Sequence, residues 1–137
     1  MKLHLALSCD QNYVRFLATI LASIITNANN DDELCFHIFE NNISQSDKNR
    51  IETLVKRNNL EVHYYATTFI ADKKKDLHIP EEFHFTEAAY VRLFMADILP
   101  LDKFLYLDVD MVVLSSLQDL YATDIDDYFF AAVPQFR

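Results

Sequence analysis

Polar and apolar positions along this chain alternate in two rhythms, one of period two and one near 3.6, and the switches between them mark the elements. Residues 2–8, KLHLALS, place leucines at every second position and predict a strand. Residues 14–28, VRFLATILASIITNA, carry apolar side chains on a helical period and run into the polar loop NNDDE. A second strand, LCFHIFE, follows at 34–40. Ser44 with Asp47 then forms a capping-box signal for a helix to about residue 57, whose Ile51, Leu54 and Val55 fall on one face. LEVHYYA at 60–66 predicts a third strand. The order βαβαβ is that of a parallel sheet with right-handed crossovers, so the fold class is α/β.

The second half is less regular. The polar stretch 72–85 interrupts the pattern, and its lysine run predicts a solvated loop. Thr86 caps a helix read through residue 99 and closed by Pro100. A strand begins at Lys103, SLQDLY at 116–121 predicts a short helix, and YFFAAVPQFR at 128–137 reads as the beginning of another strand. The sequence stops inside that apolar segment, which suggests a domain whose second part is missing.

One apolar run contains a contradiction. FLYLDVDMVVL, residues 104–114, has the character of a buried strand, yet Asp108 and Asp110 stand in its centre. A carboxylate buried without a partner costs several kcal/mol, so the pair calls for a basic side chain, a metal ion, or solvent at a strand end. In extended backbone, residues i and i+2 point to one face about 7 Å apart or less. Two carboxylates so placed suit a hard divalent cation such as Mn²⁺ or Mg²⁺. A second Asp-x-Asp, Asp124 with Asp126, has no apolar strand behind it and reads as a solvated turn.

Composition narrows the chemistry. The 137 residues, 51% hydrophobic, suffice for one domain or part of one. A net charge of −9 argues against nucleic-acid binding, which rests on lysines and arginines facing phosphates. Cys9 and Cys35 form neither a disulfide framework nor a zinc spacing, and read as small buried hydrophobes in a reducing compartment. LALSC at 5–9 loosely resembles a lipoprotein cleavage site, but the preceding apolar stretch is too short and is broken by His4. No apolar stretch reaches the ~20 residues of a membrane span, so the sequence reads as cytoplasmic. Glycine is absent, where average usage would give roughly ten. Glycine-rich phosphate loops are therefore unavailable, and any nucleotide must be held by side chains and a cation.

Three stretches together, LALSCDQNYVRFLATILASI, FTEAAYVRLFMADILPLDKFLYLDVDMVV and SLQDLYATDI, resemble glycosyltransferase family 8. Its nearest group is the bacterial lipopolysaccharide galactosyl- and glucosyltransferases, retaining enzymes that use nucleotide sugars. The resemblance covers almost all 137 residues but implies only the amino-terminal half of the family domain. The expected architecture is the Rossmann-like nucleotide-binding half of a GT-A fold, a mostly parallel sheet flanked by helices, without the acceptor half. By resemblance, Asp10, Asn12 and Tyr13 contact the uridine, with the Tyr13 ring stacked on uracil. Arg92 reaches donor sugar and phosphates. Asp108, Val109 and Asp110 form the nucleotide and metal motif, with Asp108 and Asp110 binding Mn²⁺ or Mg²⁺. The implied partners are a UDP-sugar donor and a glycan or lipopolysaccharide acceptor, with peripheral membrane association through the missing part and self-association through the unfinished sheet.

Read as residues alone, the same positions have structural uses. Asp10 and Asn12 suit helix caps, Tyr13 a helix-start staple, and Arg92 an ion pair with Glu87 or another carboxylate. His4, His37 and His63 lie on strands and read as structural. Ala89 stands where family members often carry threonine, which removes one hydrogen bond to the donor. The family's third metal ligand is a histidine near the carboxyl end, and it has no counterpart here. A non-catalytic UDP-binding fragment is the alternative to a hexosyltransferase.

Overall fold

The computed structural model describes residues 1–70, 73 and 90–134. Its frame is a four-stranded parallel sheet in the order β3-β2-β1-β4, built from β1 (Lys2–Asp10), β2 (Glu33–Asn41), β3 (Glu61–Ala66) and β4 (Leu105–Leu107). Two helices, α1 (Val14–Asn27) and α2 (Gln45–Arg57), provide the crossovers of the predicted βαβαβ unit.

Each face of the sheet follows from strand alternation. Leu3, Leu5, Leu7 and Cys9 of β1 and Leu34, Phe36 and Ile38 of β2 point to one side, where α1 lays down Leu17, Ile20, Leu21 and Ile24 at helical spacing and α2 adds Ile51 and Val55. Burying one such side chain contributes about 1.5–3 kcal/mol, and among the described residues this layer is the larger of the two clusters. The opposite face is covered differently. Ala6, Phe39, Tyr65 and Tyr106 pack there against Ile70, Val91, Met95 and Leu99.

A chain without glycine must still reverse direction. Among the described residues two have positive φ: Asn42, φ 57°, after β2, and Asn59, φ 56°, after α2. Asparagine tolerates the left-handed region because its short polar side chain bonds locally. At Asn59 the arrangement is a Schellman cap: the Asn59 N–H donates to Lys56 O at 3.1 Å and the Leu60 N–H to Val55 O at 3.2 Å. At the other end of α2 the Ser44 hydroxyl accepts from the Asp47 N–H at 3.2 Å. The reciprocal half of the box is supplied by Gln11, whose side chain accepts from the Ser44 N–H at 2.6 Å and donates to Asp47 at 2.9 Å. The Gln11 and Ser44 hydrogen bonds hold the Asp47 carboxyl below the usual range.

Three expectations need correction. The apolar run 104–114 is not one buried strand: β4 ends at Leu107, Asp108–Asp110 form a turn, and Met111, Val112 and Leu114 are exposed. Beyond β4, Val109 and Val113 reach into the core, and Val113 is tied to α1 through Ser23 Oγ and Asn27 Nδ2 at 3.0 and 3.1 Å. The helix read to residue 99 is broken in its described part into a 3₁₀ turn, Val91–Leu93, and a single turn α3, Met95–Ile98. Residues 128–134 form no strand, and Tyr128, Phe129, Phe130 and Val133 stand exposed. The lysine run beyond Lys73, the Thr86 cap, Glu87 and Ala89 lie outside the described residues.

Other expectations hold. The helix at 116–121 is α4, Gln118–Tyr121. Asp124 and Asp126 form an exposed turn in which the Asp126 N–H donates to Asp124 Oδ1 at 3.0 Å. Both cysteines are buried and free, and burial pushes the Cys9 and Cys35 thiols up to about 12 and about 11. No helix among the described residues is long and apolar enough to cross a membrane.

Candidate functional site

The site begins with strand order. The chain moves from β1 outward through β2 to β3 and then returns to β4 on the other side of β1, so the strand order reverses between β1 and β4, where open α/β sheets form a ligand crevice at the carboxyl ends of the strands. Register aligns Leu7 with Leu107. The loop after β1, with Asp10, Asn12 and Tyr13, therefore emerges beside the turn carrying Asp108, Val109 and Asp110. Adjacent strands lie about 4.8 Å apart, so the two segments predicted to share a ligand share one sheet end.

At that end Asp10 caps the 3₁₀ turn Gln11–Tyr13, its Oδ1 accepting from the backbone N–H groups of Asn12 and Tyr13 at 2.8 and 3.2 Å. The capping use of Asp10 is thus real, and it occupies one carboxylate oxygen. Asn12 is exposed. The Tyr13 ring, 46% exposed, lies 5.4 Å from the Phe16 ring, also exposed, so an aromatic face is presented to solvent at the mouth of the crevice. Planar apolar surface beside directed polar groups is what a nucleobase requires.

Across the crevice, Arg92, Tyr106 and Asp108 form one unit. Arg92 Nη2 lies 3.1 Å from Asp108 Oδ1, the guanidinium sits 4.9 Å over the Tyr106 ring, and the Tyr106 hydroxyl donates to the same Oδ1 at 2.7 Å. Tyr106 and Asp108 are two residues apart, which puts them on one face as extended backbone demands. Burial first, and the bond to Asp108 second, raise the Tyr106 pKa, so the phenol stays a donor. Among the described residues the ion pair joins Arg92 to Asp108; Glu87, the other carboxylate considered, lies outside them.

Both contacts on Asp108 converge on Oδ1, and the Asp110 side chain is exposed. Carboxylate oxygens at a solvent-open strand end are donors of the type a hard divalent cation takes. Asp108 and Asp110 are therefore the residues that would hold a divalent cation here, and the Arg92 guanidinium together with solvent at the strand end resolves the apparent cost of two aspartates in an apolar run.

Sequence reasoning missed Tyr106 and Gln11. The signal for Tyr106 was its place two residues before Asp108; Gln11 gave none, because its partners lie 33 and 36 residues away.

Comparison with known proteins bears on the family and the fold. The sequence model of Glycosyl transferase family 8 matches residues 4–137. General stress protein A of Bacillus subtilis is 27% identical over 134 residues, covering 96% of this chain and 46% of that protein. The lipopolysaccharide 1,3-galactosyltransferase of Salmonella typhimurium is 29% identical over 137 residues, covering 96% of this chain and 38% of that protein. Among solved structures, the galactosyltransferase LgtC, crystallised with donor and acceptor sugar analogues, superposes with a TM-score of 0.76 at 25% identity, over 91% of this chain and 44% of that one. The chain thus spans less than half the length of these relatives. From its motifs, its GT-A sheet and these matches, the chain belongs to glycosyl transferase family 8.

Proposed function

We propose that this chain is the nucleotide-sugar-binding half of a metal-dependent hexosyltransferase. It takes a glucosyl or galactosyl group from a UDP-sugar and passes it, with retention, to a glycan or lipopolysaccharide acceptor. One observation carries the reading: the Asp10–Tyr13 loop and the Asp108–Asp110 turn leave adjacent strands at the same end, where the strand order reverses. Family membership and the named relatives support it.

In this reading the Tyr13 ring stacks on uracil, and Asp10 and Asn12 bond its edge and the ribose. Asp108 and Asp110 hold Mn²⁺ with the diphosphate, and Val109 backs the turn between them. A bound cation would neutralise charge as the diphosphate leaves the sugar. Arg92, already drawn to Asp108, supplies a planar guanidinium for donor phosphate and sugar oxygens. The free buried cysteines accord with a cytoplasmic location, where the donor is made.

Calorimetry of UDP binding with and without Mn²⁺ tests this reading. Mn²⁺ is expected to strengthen binding, and Asp108→Ala or Asp110→Ala to abolish the increment. Equal UDP affinity with and without the ion would overturn it.

A second reading rests on the exposed apolar residues Tyr128, Phe129, Phe130 and Val133. By itself the 137-residue chain binds UDP and associates through that surface without transferring sugar. Measurable transfer to an acceptor by the isolated chain would refute it.

A further inference from the structure

The three strand histidines read as structural in sequence are not scattered. His4 on β1 is in register with Cys35 on β2, His37 on β2 is in register with His63 on β3, and Cys35 is in register with Glu61. Since alternate residues share a face, all five side chains line the same side of the sheet, toward the amino ends of the strands. His4 Nδ1 lies 3.0 Å from His37 Nε2, and Cys35 Sγ lies 3.5 Å from that same Nε2. The three ligand atoms fall within 4.8 Å of one another.

We propose that His4 Nδ1, Cys35 Sγ and His37 Nε2 form a Zn²⁺ site, with water in the fourth position, separate from the carboxylate site at the other end of the sheet.

Donor chemistry and spacing carry this. Two imidazoles and a thiolate are the borderline-soft set that selects zinc over magnesium or manganese. With Zn–N near 2.0–2.1 Å and Zn–S near 2.3 Å, neighbouring ligands on a tetrahedron stand roughly 3.3–3.6 Å apart. The observed 3.5 Å from Cys35 Sγ to His37 Nε2 is such an edge, and the 3.0 Å between imidazole nitrogens needs to open only a few tenths of an ångström. Surrounding groups hold the ligands in place. His37 Nδ1 is 3.1 Å from the Tyr65 hydroxyl, and when it donates there its proton leaves Nε2 bare toward His4 and Cys35. The His63 ring stacks on His37 at 5.5 Å.

The proton balance also closes. Cys35 binds zinc as thiolate, so one proton must leave. The Cys35 thiol donates to Glu61 Oε2 at 3.5 Å, and Glu61, exposed and paired with Lys2 at 3.1 Å, can pass that proton to solvent. Six residues separate His4 from Asp10 along β1, roughly 20 Å at the rise of a strand, so the two metal sites do not share ligands.

Co²⁺ serves as the optical probe, because a cobalt–thiolate bond gives a charge-transfer absorption that carboxylate ligation does not. In the whole chain carrying Asp108→Asn and Asp110→Asn, one equivalent of Co²⁺ is expected to produce that band, and Zn²⁺ to remove it. Cys35→Ser should abolish the band with the circular dichroism unchanged, His4→Gln should weaken Co²⁺ binding at least tenfold, and Cys9→Ser should leave it intact. Absence of the band, or its survival in Cys35→Ser, would overturn the site and leave the cluster a hydrogen-bonded network only. Should Cys35→Ser fail to fold, His4→Gln decides, since His4 is only partly buried: unchanged Co²⁺ affinity in that variant counts equally against the proposal.

Discussion

Asp108 and Asp10 each divide one carboxylate between the protein and the crevice, and this division makes their roles separable. Asp10 Oδ1 is spent on the backbone N–H groups of Asn12 and Tyr13. Asp10→Ala should therefore lose about 1 kcal/mol of stability, the usual value of a cap, as well as any preference for UDP over ADP or GDP. Asp10→Asn separates the two effects: its single amide oxygen can keep the cap while an NH₂ group faces the N3–H of uracil, donor against donor. Stability in urea should persist while nucleotide preference collapses in a competition assay. Retained preference would show that Asp10 only caps. For Asp108 the test lies in its neighbour. Tyr106→Phe removes the 2.7 Å hydrogen bond to Oδ1 without touching the carboxylate, and should weaken Mn²⁺-dependent UDP binding about tenfold, the lower range for losing a hydrogen-bond partner of a metal-binding group. Calorimetry giving wild-type affinity would remove Tyr106 from the site.

Elements in this chain are closed by asparagine where most proteins would use glycine. Asn59 at the end of α2 holds φ 56° inside a Schellman cap, so its backbone is fixed whatever the side chain. Asn59→Ala should cost about 1–2 kcal/mol, because Cβ without a local hydrogen bond is penalised in the left-handed region. Asn59→Gly relieves that penalty but frees the unfolded chain, so the two terms oppose and the change should be smaller. Chemical denaturation midpoints in the order Gly variant near wild type, Ala variant clearly lower, are expected; the reverse order would refute the account. At the start of the same helix, Ser44→Ala should cost about 1 kcal/mol.

For the whole molecule, the last described stretch carries four of the exposed large apolar side chains, Tyr128, Phe129, Phe130 and Val133, among them the most exposed of all. Phe129 and Phe130 are fully or mostly open to solvent, and Tyr128 and Val133 join them. Large apolar side chains left this open to solvent suit a contact face. In isolation the 137-residue chain is expected to self-associate, and Phe129→Asp with Phe130→Asp to shift it toward monomer in light scattering. A monodisperse wild-type monomer would show that these residues fold back on the chain in solution. The relatives extend well past this length, so the same surface in a longer protein is expected to lie against further chain.

Local pattern was enough for the βαβαβ order, for the five elements to within one or two residues at each end, and for the capping serine, the buried cysteines and the family. Each element and cap is written in a short consecutive stretch, where period and cap act locally, and the family in three longer motifs in order. Local pattern misjudged 104–114, because a short apolar run has the same composition whether it is a strand, a turn that drops two valines into the core, or an exposed coil. Packing of the whole domain put β4 against β1, and so brought the Asp10 loop beside the Asp108–Asp110 turn and Arg92 to Asp108 across 16 residues. It likewise decided that His4, Cys35 and His37 meet, although alternation had already assigned each to a strand. Alternation fixes which face a side chain takes, whereas strand order and register fix its neighbours, and those depend on how helices and sheet pack as a whole.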